Sequence, residues 1–538
     1  MILLRSLRSV DCHDSAFEAC IAPTIADSLQ RVKGWLASRS PSSSSSRKLP
    51  TRLLRLENCG DVFSIRLLNI TDRTNDTPYA TLSHCWGGHQ PIRLLQDNFE
   101  SFTHNIPFES LPKTFKHAVE IALKLGLSWI WIDSLCIIQD STEDWLTEAE
   151  QMDDVYSHAY VNLAATASTN STSGMFPKSE ALWEPCVLQP TWTGLVAETI
   201  LVYDQNSFVR QVATAPLNTR GWVFQERVLA PRTVHFSQHH IWWTANDSPD
   251  VYVDSFPTSI DYLLGGWSQT EAMLPQTLWK IPGHLTFSQV WWKHMKRYTS
   301  LNLTQTSDKL IALAGIAKKF AQHHGLQGTD YLAGLWRRNL VRDLLWRLMK
   351  RGSGSRPSEY RAPSWSWASV DGHVDNPFSG NERVVTSIVE ADVCTVKGPF
   401  GPVKSGFLVL KGPLLRVELR YDVPSRELDC FESQILKNGM RTRLRGLLDD
   451  HAGFDQRFRG TFYIAPFFPK EYDEIIGQGL LLRRTAESGE FVRVGFLFVD
   501  SVIFRAWKER SGVQRSMLDE SDYLQYDSVS GLCTYRLL

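Results

Sequence analysis

The sequence predicts an α/β protein with a parallel-sheet core, a helical extension and a β-rich C-terminal domain. The apolar run 129–132 (WIWI) has the composition of a strand buried on both faces. Apolar residues at helical spacing flank this run on both sides, and alternating helices and strands are typical of parallel sheets. After residue 373, short runs such as 407–410 and 491–498 recur between turn residues about every ten positions, which indicates the β-rich domain.

Two predicted helices bracket the central strand. The first begins after Pro112 and ends at Gly126. In the second, Trp145, Ala149, Met152 and Tyr156 follow each other at i, i+4, i+7 and i+11, which places them on one apolar stripe. The run 160–165 then predicts the next strand.

A second predicted strand, upstream of the first, also ends in residues that could bind a ligand. The alternating run 79–83 predicts a strand that continues into His84-Cys85-Trp86-Gly87-Gly88. Two glycines after a strand allow tight backbone geometry and the close approach of a ligand. The spacing matches neither a dinucleotide-binding fingerprint nor a P-loop.

Composition and charge exclude several classes of protein. The chain has 538 residues, 43% of them hydrophobic, and its net charge of -1 gives no electrostatic case for nucleic acid or an anionic membrane. The nine cysteines form no CxxC pair, so neither a zinc ribbon nor a disulfide framework is indicated. No apolar stretch approaches membrane-spanning length. We expect a cytoplasmic protein without a membrane span.

Composition also divides the chain into four predicted segments. Residues 1–49 hold a helix within 14–37 and a serine-rich linker with five serines at 42–46. Residues 50–258 form the α/β core, and 373–538 the β-rich domain. The intervening 259–372 are expected to be mostly helical, with one apolar stripe over 310–317 and another over 335–348.

Three sequence blocks resemble the signatures of a known family. The blocks are YATLSHCWGG at 79–88, LGLSWIWIDSLCIIQD at 125–140 with the following E-x-x-x-M-x-x-x-Y at 148–156, and NTRGWVFQERVLAPRTVHFS at 218–237. They look like the heterokaryon-incompatibility (HET) domain of filamentous fungi, in the same order. The segments 308–317, 331–336 and 362–372 resemble the region that commonly follows this domain.

The resemblance implies a fold and a candidate catalytic residue. HET domains are thought to be similar to the TIR fold, a flavodoxin-like parallel layer that in some members cleaves NAD through one glutamate. Such a carboxylate would lie past the carboxyl end of a central strand. Glu148 meets this requirement as the main catalytic candidate, and Asp133 is a second. Each has a structural alternative, since Glu148 can pair with an arginine and Asp133 can cap nearby N–H groups.

The signature blocks also supply candidate ligand-binding residues, which are Ser83, Trp86, Gly87, Arg220 and Glu226. Arg220 and Glu226 are either a structural ion pair or ligand contacts. A metal or a thiol nucleophile at His84, Cys85 and Cys136 is disfavoured, because Cys136 lies among apolar residues. We expect no metal and no cofactor, with NAD possible only as a substrate. The tryptophans at 222, 242, 243, 365 and 367 are expected in the core, with a stacking platform as the alternative.

The family resemblance implies a non-self-recognition protein whose HET domain triggers programmed cell death. A protein partner, or self-assembly through the HET domain, would carry the recognition, because neither a P-loop nor a repeat array is present in the sequence. Two alternatives stay open. One is a TIR-like NAD glycohydrolase as the killing activity, and the other is a HET-fold enzyme recruited to small-molecule (secondary metabolite) biosynthesis.

Overall fold

The chain forms two compact units, Met1–Lys280 and Ile281–Leu538. The computed structural model describes residues 2–6, 24–38, 48–60, 62–70, 77–88, 92–176, 186–188, 200–204, 207–248, 251–254, 285–376, 384–421, 428–435, 441–452, 454, 459–468, 477–499 and 518–538.

The first unit combines eleven described strands with six described α-helices. Strands β1 to β11 are Ile2–Ser6, Arg52–Cys59, Val62–Asn69, Ala80–Ser83, Trp129–Trp131, Val161–Ala164, Cys186–Leu188, Ile200–Asp204, Arg232–Phe236, Ile241–Ala245 and Val251–Val253. Helices α1 to α6 are Ile25–Ser38, Phe99–His104, Lys113–Lys124, Asp133–Cys136, Thr142–Ser157 and Gly221–Leu229.

An eight-stranded sheet forms the centre of the first unit, in the order β11-β10-β9-β6-β4-β5-β2-β3. Strands β5, β4, β6 and β9 run parallel to one another, and the outer strands pair antiparallel. Strand β4 lies between β5 and β6, with Thr81 opposite both Trp131 and Asn162. The predicted α/β core with parallel strands is therefore confirmed.

The helices around this sheet follow from the sequence pattern. Helix α3 buries Phe115 and other residues of its apolar stripe, and Gly126 ends the turn that follows with a φ of 84°. At the start of α5 the Ser141 side chain accepts a hydrogen bond from the Asp144 N–H at 3.2 Å, which satisfies one free donor of the first turn. Both helices lie where the sequence predicts them.

The N-terminal helix α1 packs onto the edge of the eight-stranded sheet. Ser28 donates a hydrogen bond to Asp254 at 3.0 Å, and the Arg31 guanidinium donates to the Asp254 carbonyl at 2.6 Å. The Trp35 ring lies 6.3 Å from that of Trp243. The helix therefore belongs to the first unit, whereas the predicted serine-rich linker lies outside the described residues.

The second unit contains three described α-helices and fourteen described strands. Helices α7 to α9 are Phe287–Tyr298, Ile311–His323 and Leu340–Asp343. Strands β12 to β25 are Tyr331–Leu332, Leu335–Trp336, Arg347–Leu348, Val374–Asp375, Ser387–Thr395, Val403–Gly412, Leu415–Tyr421, Asp429–Ile435, Arg441–Leu448, Arg459–Phe468, Gly477–Arg484, Glu490–Val499, Gln525–Asp527 and Leu532–Leu537.

The helical extension is only partly as predicted. The stripe over 310–317 becomes α8, but the expected helix over 335–348 is wrong. Its place is taken by the hairpin β12–β13, the short helix α9 and strand β14. Ala333 and Gly334 have φ values of 48° and 97°, the left-handed pair that a two-residue hairpin turn requires. Local turn geometry overrides the apolar spacing here.

The C-terminal strands close into a barrel. Strands β18, β19, β20, β23, β22 and β21 are neighbours in that order, and β21 pairs again with β18. Every one of these pairings is antiparallel. Apolar side chains such as Val417, Phe431, Phe462 and Ile464 fill the interior. The predicted β-rich C-terminal region is confirmed.

A buried arginine ties the barrel to the chain that precedes it. Arg493 of β23 is fully buried and donates to both carboxylate oxygens of Asp449, at 2.9 and 3.2 Å. It also donates to the carbonyls of Leu344 and Trp346 at 2.5 Å, and its guanidinium lies 3.5 Å from the centre of the Trp346 ring. Arg356, which is partly exposed, approaches the same Asp449 carboxylate at 3.2 Å.

We expect Arg493→Met to lower the free energy of unfolding by about 3–5 kcal/mol, because it leaves two carbonyls and part of a buried carboxylate without donors. The matched change Arg356→Met removes partly exposed hydrogen bonds to the same carboxylate, to the Arg493 carbonyl and to Ser369, and should cost less, about 1–2 kcal/mol. Calorimetric thermal unfolding of the two variants measures the difference. Equal losses in both variants would contradict this account of Arg493.

Candidate functional site

The carboxyl ends of β4, β5 and β6 define the candidate site. After β4 the chain continues to β5 on one side, and after β6 it continues to β9 on the other side, so the chain leaves the sheet in opposite directions after β4 and β6. Open parallel sheets bind ligands in the crevice that such a reversal creates. Ser83 and the residues after it emerge here from β4, and Asp133 follows β5.

Side chains from the ends of β4 and β5 are joined directly. The Trp86 indole N–H donates to Asp133 Oδ2 at 2.9 Å, and His84 Nδ1 lies 3.7 Å from Asp133 Oδ1. The His84 ring packs against the edge of Phe115 at 4.8 Å. Asp133 also accepts from the Ser134 N–H at 2.7 Å, which is the capping role expected as its alternative. With 30% of its side chain exposed, Asp133 is the solvent-facing member of this group.

Glu226 of α6 supplies a second carboxyl group to the site. Its side chain interacts with the hydroxyls of Ser83 and Tyr156. It is also close enough to Asp133 for the negative charge of that carboxylate to raise its pKa. Burial is the largest effect on this group and, together with Asp133, raises the pKa of Glu226 to about 7. The site therefore holds a carboxyl group that still carries a proton near neutral pH.

Arg220 links the third sequence block to the first. Its guanidinium donates to the His84 carbonyl at 2.5 Å, and its charge acts to lower the pKa of Glu226. Burial lowers the pKa of His84, which favours the neutral ring. Burial likewise raises the pKa of the Cys85 thiol, so the thiolate is disfavoured.

Gly87 serves the packing of two loops. Its φ is 73°, and a Cβ at this position would lie 2.3 Å from the Cβ of Asn170. The glycine therefore permits the loop after β4 to pack against the loop after β6. The sequence predicts the close approach of a ligand at Gly87. Among the described residues, it is the loop after β6 that approaches this glycine closely.

Glu148 lies in a different cluster. It is buried, and its Oε1 atom is 3.2 Å from Nη2 of Arg52. The same Arg52 nitrogen contacts both carboxylate oxygens of Asp144, at 2.8 and 2.6 Å, and Arg52 Nε donates to the Cys136 carbonyl at 2.7 Å. This is the arginine pairing named as the structural alternative for Glu148. Its catalytic role stays a prediction.

The structure thus brings together five predicted residues, Ser83, Trp86, Asp133, Arg220 and Glu226, and places Glu148 with Arg52. It adds His84 and Tyr156, which the sequence argument missed as site residues. The sequence pattern places Tyr156 on an apolar stripe, and it suggests His84 only for a metal site or a thiol-nucleophile site. The feature that could have identified them is their position in the sequence. His84 directly follows a predicted strand, and Tyr156 is the last residue of the second signature block.

The remaining sequence candidates are structural. Trp242, Trp243, Trp365 and Trp367 are buried, as predicted for core residues, and Trp222 is half-buried against Trp145 with ring centres 6.2 Å apart. Cys136 is buried, and burial raises its pKa to about 12. Within the described ranges, no three His, Cys, Asp or Glu side chains are grouped to hold a metal ion. No helix in those ranges has the length and apolar character needed to cross a membrane.

The raised pKa of Glu226 predicts a pH-dependent stability. Because the folded pKa of about 7 exceeds the ordinary value of 4.5, the stability this group contributes is complete below pH 4.5 and is lost as pH rises through 7. Glu226→Gln removes this dependence. We expect the variant to gain up to about 3 kcal/mol relative to wild type between pH 5 and pH 8.

The measurement is thermal unfolding of both proteins across that pH range. Glu143→Gln, which changes an exposed carboxylate on α5, is the matched control and should follow wild type. A constant difference between wild type and Glu226→Gln would show that the Glu226 carboxyl is already ionised at pH 5.

Comparison with known proteins gives one match. Residues 79–226 match the family model described as heterokaryon incompatibility protein (HET). No significant match was found among curated proteins or among solved structures. The matched span begins just before β4 and ends at Glu226, so it contains the whole group of side chains at the carboxyl ends of β4 and β5. The chain therefore contains a segment, residues 79–226, that matches the heterokaryon-incompatibility (HET) domain.

Proposed function

We propose that this protein is the effector of a fungal incompatibility response, in which non-self recognition activates the HET domain and programmed cell death follows. The HET match over 79–226 supports a function of the heterokaryon-incompatibility type. The observation that carries the finer proposal is that Asp133 and Glu226 lie close enough within this span for the charge of Asp133 to raise the pKa of Glu226. Activation would take place in the cytoplasm, through a protein partner or self-assembly of the HET domain.

The site geometry suits a polar ligand. Asp133 offers exposed carboxylate oxygens, and Glu226 offers a protonated carboxyl group below about pH 7. The half-buried Trp86 ring, fixed by its bond to Asp133, gives a flat surface beside them. A ligand with hydroxyl groups and a planar ring would match these three features.

NAD cleavage is the second candidate, and the pair of carboxyl groups favours it. Asp133 can accept hydrogen bonds from ribose hydroxyls and stabilise the positive charge that develops on the sugar as the bond to nicotinamide breaks. Nicotinamide leaves with the bonding electron pair. Water then adds to the ribose carbon, and a carboxylate takes its proton, so that NAD and water give nicotinamide, ADP-ribose and a proton.

Regulated expression in a filamentous fungal host tests the effector proposal. Wild type should kill the cells, whereas Asp133→Asn and Glu226→Gln should leave them alive, because each removes a carboxyl group at the crevice. Glu143→Gln is the matched control and should kill like wild type. Killing by both crevice variants, at equal protein levels, would contradict a role for this site.

An assay of nicotinamide release by the purified protein distinguishes NAD cleavage from the broader effector proposal. If NAD is the substrate, nicotinamide release by wild type should fall by about 10²-fold or more in Glu226→Gln. Glu148→Gln should instead reduce thermal stability, because it removes one of the two carboxylates that contact the buried Arg52. Killing without nicotinamide release would reject NAD cleavage and keep the effector proposal.

A further inference from the structure

The second unit contains a pocket that is lined by segments with no role in the proposed function. Two of the segments that follow the HET signatures, 308–317 and 362–372, meet at this pocket. Its volume is about 360 Å³, within the range of small-molecule sites. Its lining includes Tyr298, Thr306, Lys309 and Asp371.

Lys309 is the buried cationic residue of this lining. Only 6% of the residue is exposed, and its amine donates to the Val370 carbonyl at 2.5 Å. The amine nitrogen lies 5.6 Å from the centre of the Trp367 ring. Tyr298 donates to the Lys309 carbonyl at 2.6 Å, which fixes the backbone from which the side chain extends. Lys309 is thus a residue of the pocket lining whose amine is held in place by these contacts.

The neighbouring charges leave Lys309 poorly compensated. The nearby carboxylate of Asp371 lies 2.8 Å from the Arg361 guanidinium, which also donates to the carbonyls of Ala368 and Thr306. Arg361 therefore takes up much of the negative charge that Asp371 could offer to Lys309. Burial first, and then the charge of Arg361, lower the pKa of Lys309 to about 7.

A lysine in this state is a nucleophile. At pH 7 about half of such amines are neutral, against roughly 1 in 2,500 for an ordinary lysine with a pKa of about 10.4. A neutral amine in a pocket attacks carbonyl carbon, as the catalytic lysines of imine-forming enzymes do. An anionic ligand fits less well, because Asp371 offsets the charge of Arg361 and Lys309 is only partly charged.

We propose that Lys309 is a reactive amine that forms an imine with a small aldehyde or ketone bound in this pocket. The amine nitrogen bonds to the carbonyl carbon while the carbonyl π pair moves to oxygen, which takes up a proton as nitrogen loses one. The carbinolamine hydroxyl then takes up a second proton and leaves as water while the nitrogen lone pair forms the C=N bond, and the nitrogen gives up its remaining proton. The step consumes one carbonyl group, releases one water and needs no oxidant or reductant.

Reductive trapping of the full-length protein tests the proposal. Propanal and sodium cyanoborohydride at pH 7 convert an imine into a stable propyl-lysine, which peptide mass spectrometry locates. We expect Lys309 to be modified at least about tenfold faster than the exposed Lys350, because far more of its amine is neutral. Lys309→Arg, which keeps a donor for Val370, should lose this modification alone. A Lys309 that is modified only after unfolding would overturn the proposal.

A second measurement needs no variant. Trace labelling of the wild-type protein with an amine-specific anhydride, followed across pH for the Lys309 peptide, should give a midpoint near 7. Lys350 in the same digest monitors the reagent. A Lys309 midpoint near the ordinary lysine value would overturn the proposal even if Lys309→Arg fails to fold.

Discussion

The reversal of strand order at β4 is the constraint on which the candidate site depends. Strand β4 pairs in parallel with β5 on one side and with β6 on the other, so the loops that leave these strands diverge at one edge of the sheet. That divergence makes room for α6, whose Glu226 interacts with Ser83 of β4 and with Tyr156 of α5.

Burial sets the chemistry of that edge. Taking a carboxyl group out of water disfavours its charged form, and at Glu226 this effect exceeds the opposing influence of Ser83, Arg220 and Tyr156. The same balance recurs in the second unit. There burial raises the pKa of Asp343 to about 7 and lowers that of Lys309 to about 7. Burial thereby gives acidic and basic groups alike a pKa near neutral pH, where they can exchange protons. Each of these groups lowers the stability of the fold to some extent.

Much of the fold follows from sequence periodicity, and the candidate site follows only in part. Long apolar patterns predict α3, β5, α5 and β6 because each buries one continuous stripe or run. The helix expected over 335–348 is wrong because residues 335–336 pair with 331–332 across the left-handed turn at Ala333 and Gly334, and residues 347–348 pair with 374–375. Periodicity records neither pairing. The sequence pattern correctly places Glu148 on its helix. Its partner Arg52, however, lies on a strand 96 positions earlier in the sequence. Pairings at such distances depend on tertiary packing, which local patterns do not contain.

The proton on Glu226 is the central claim, and its titration tests that claim most directly. Isotope-edited infrared spectroscopy of the full-length protein, with Glu226→Gln subtracted, isolates the carboxyl band of this residue. The structure predicts a protonated band that disappears with a midpoint near pH 7. A midpoint near 4.5, the ordinary value for glutamate, would mean that Glu226 is a solvated carboxylate and that the crevice lacks the acid proposed for it.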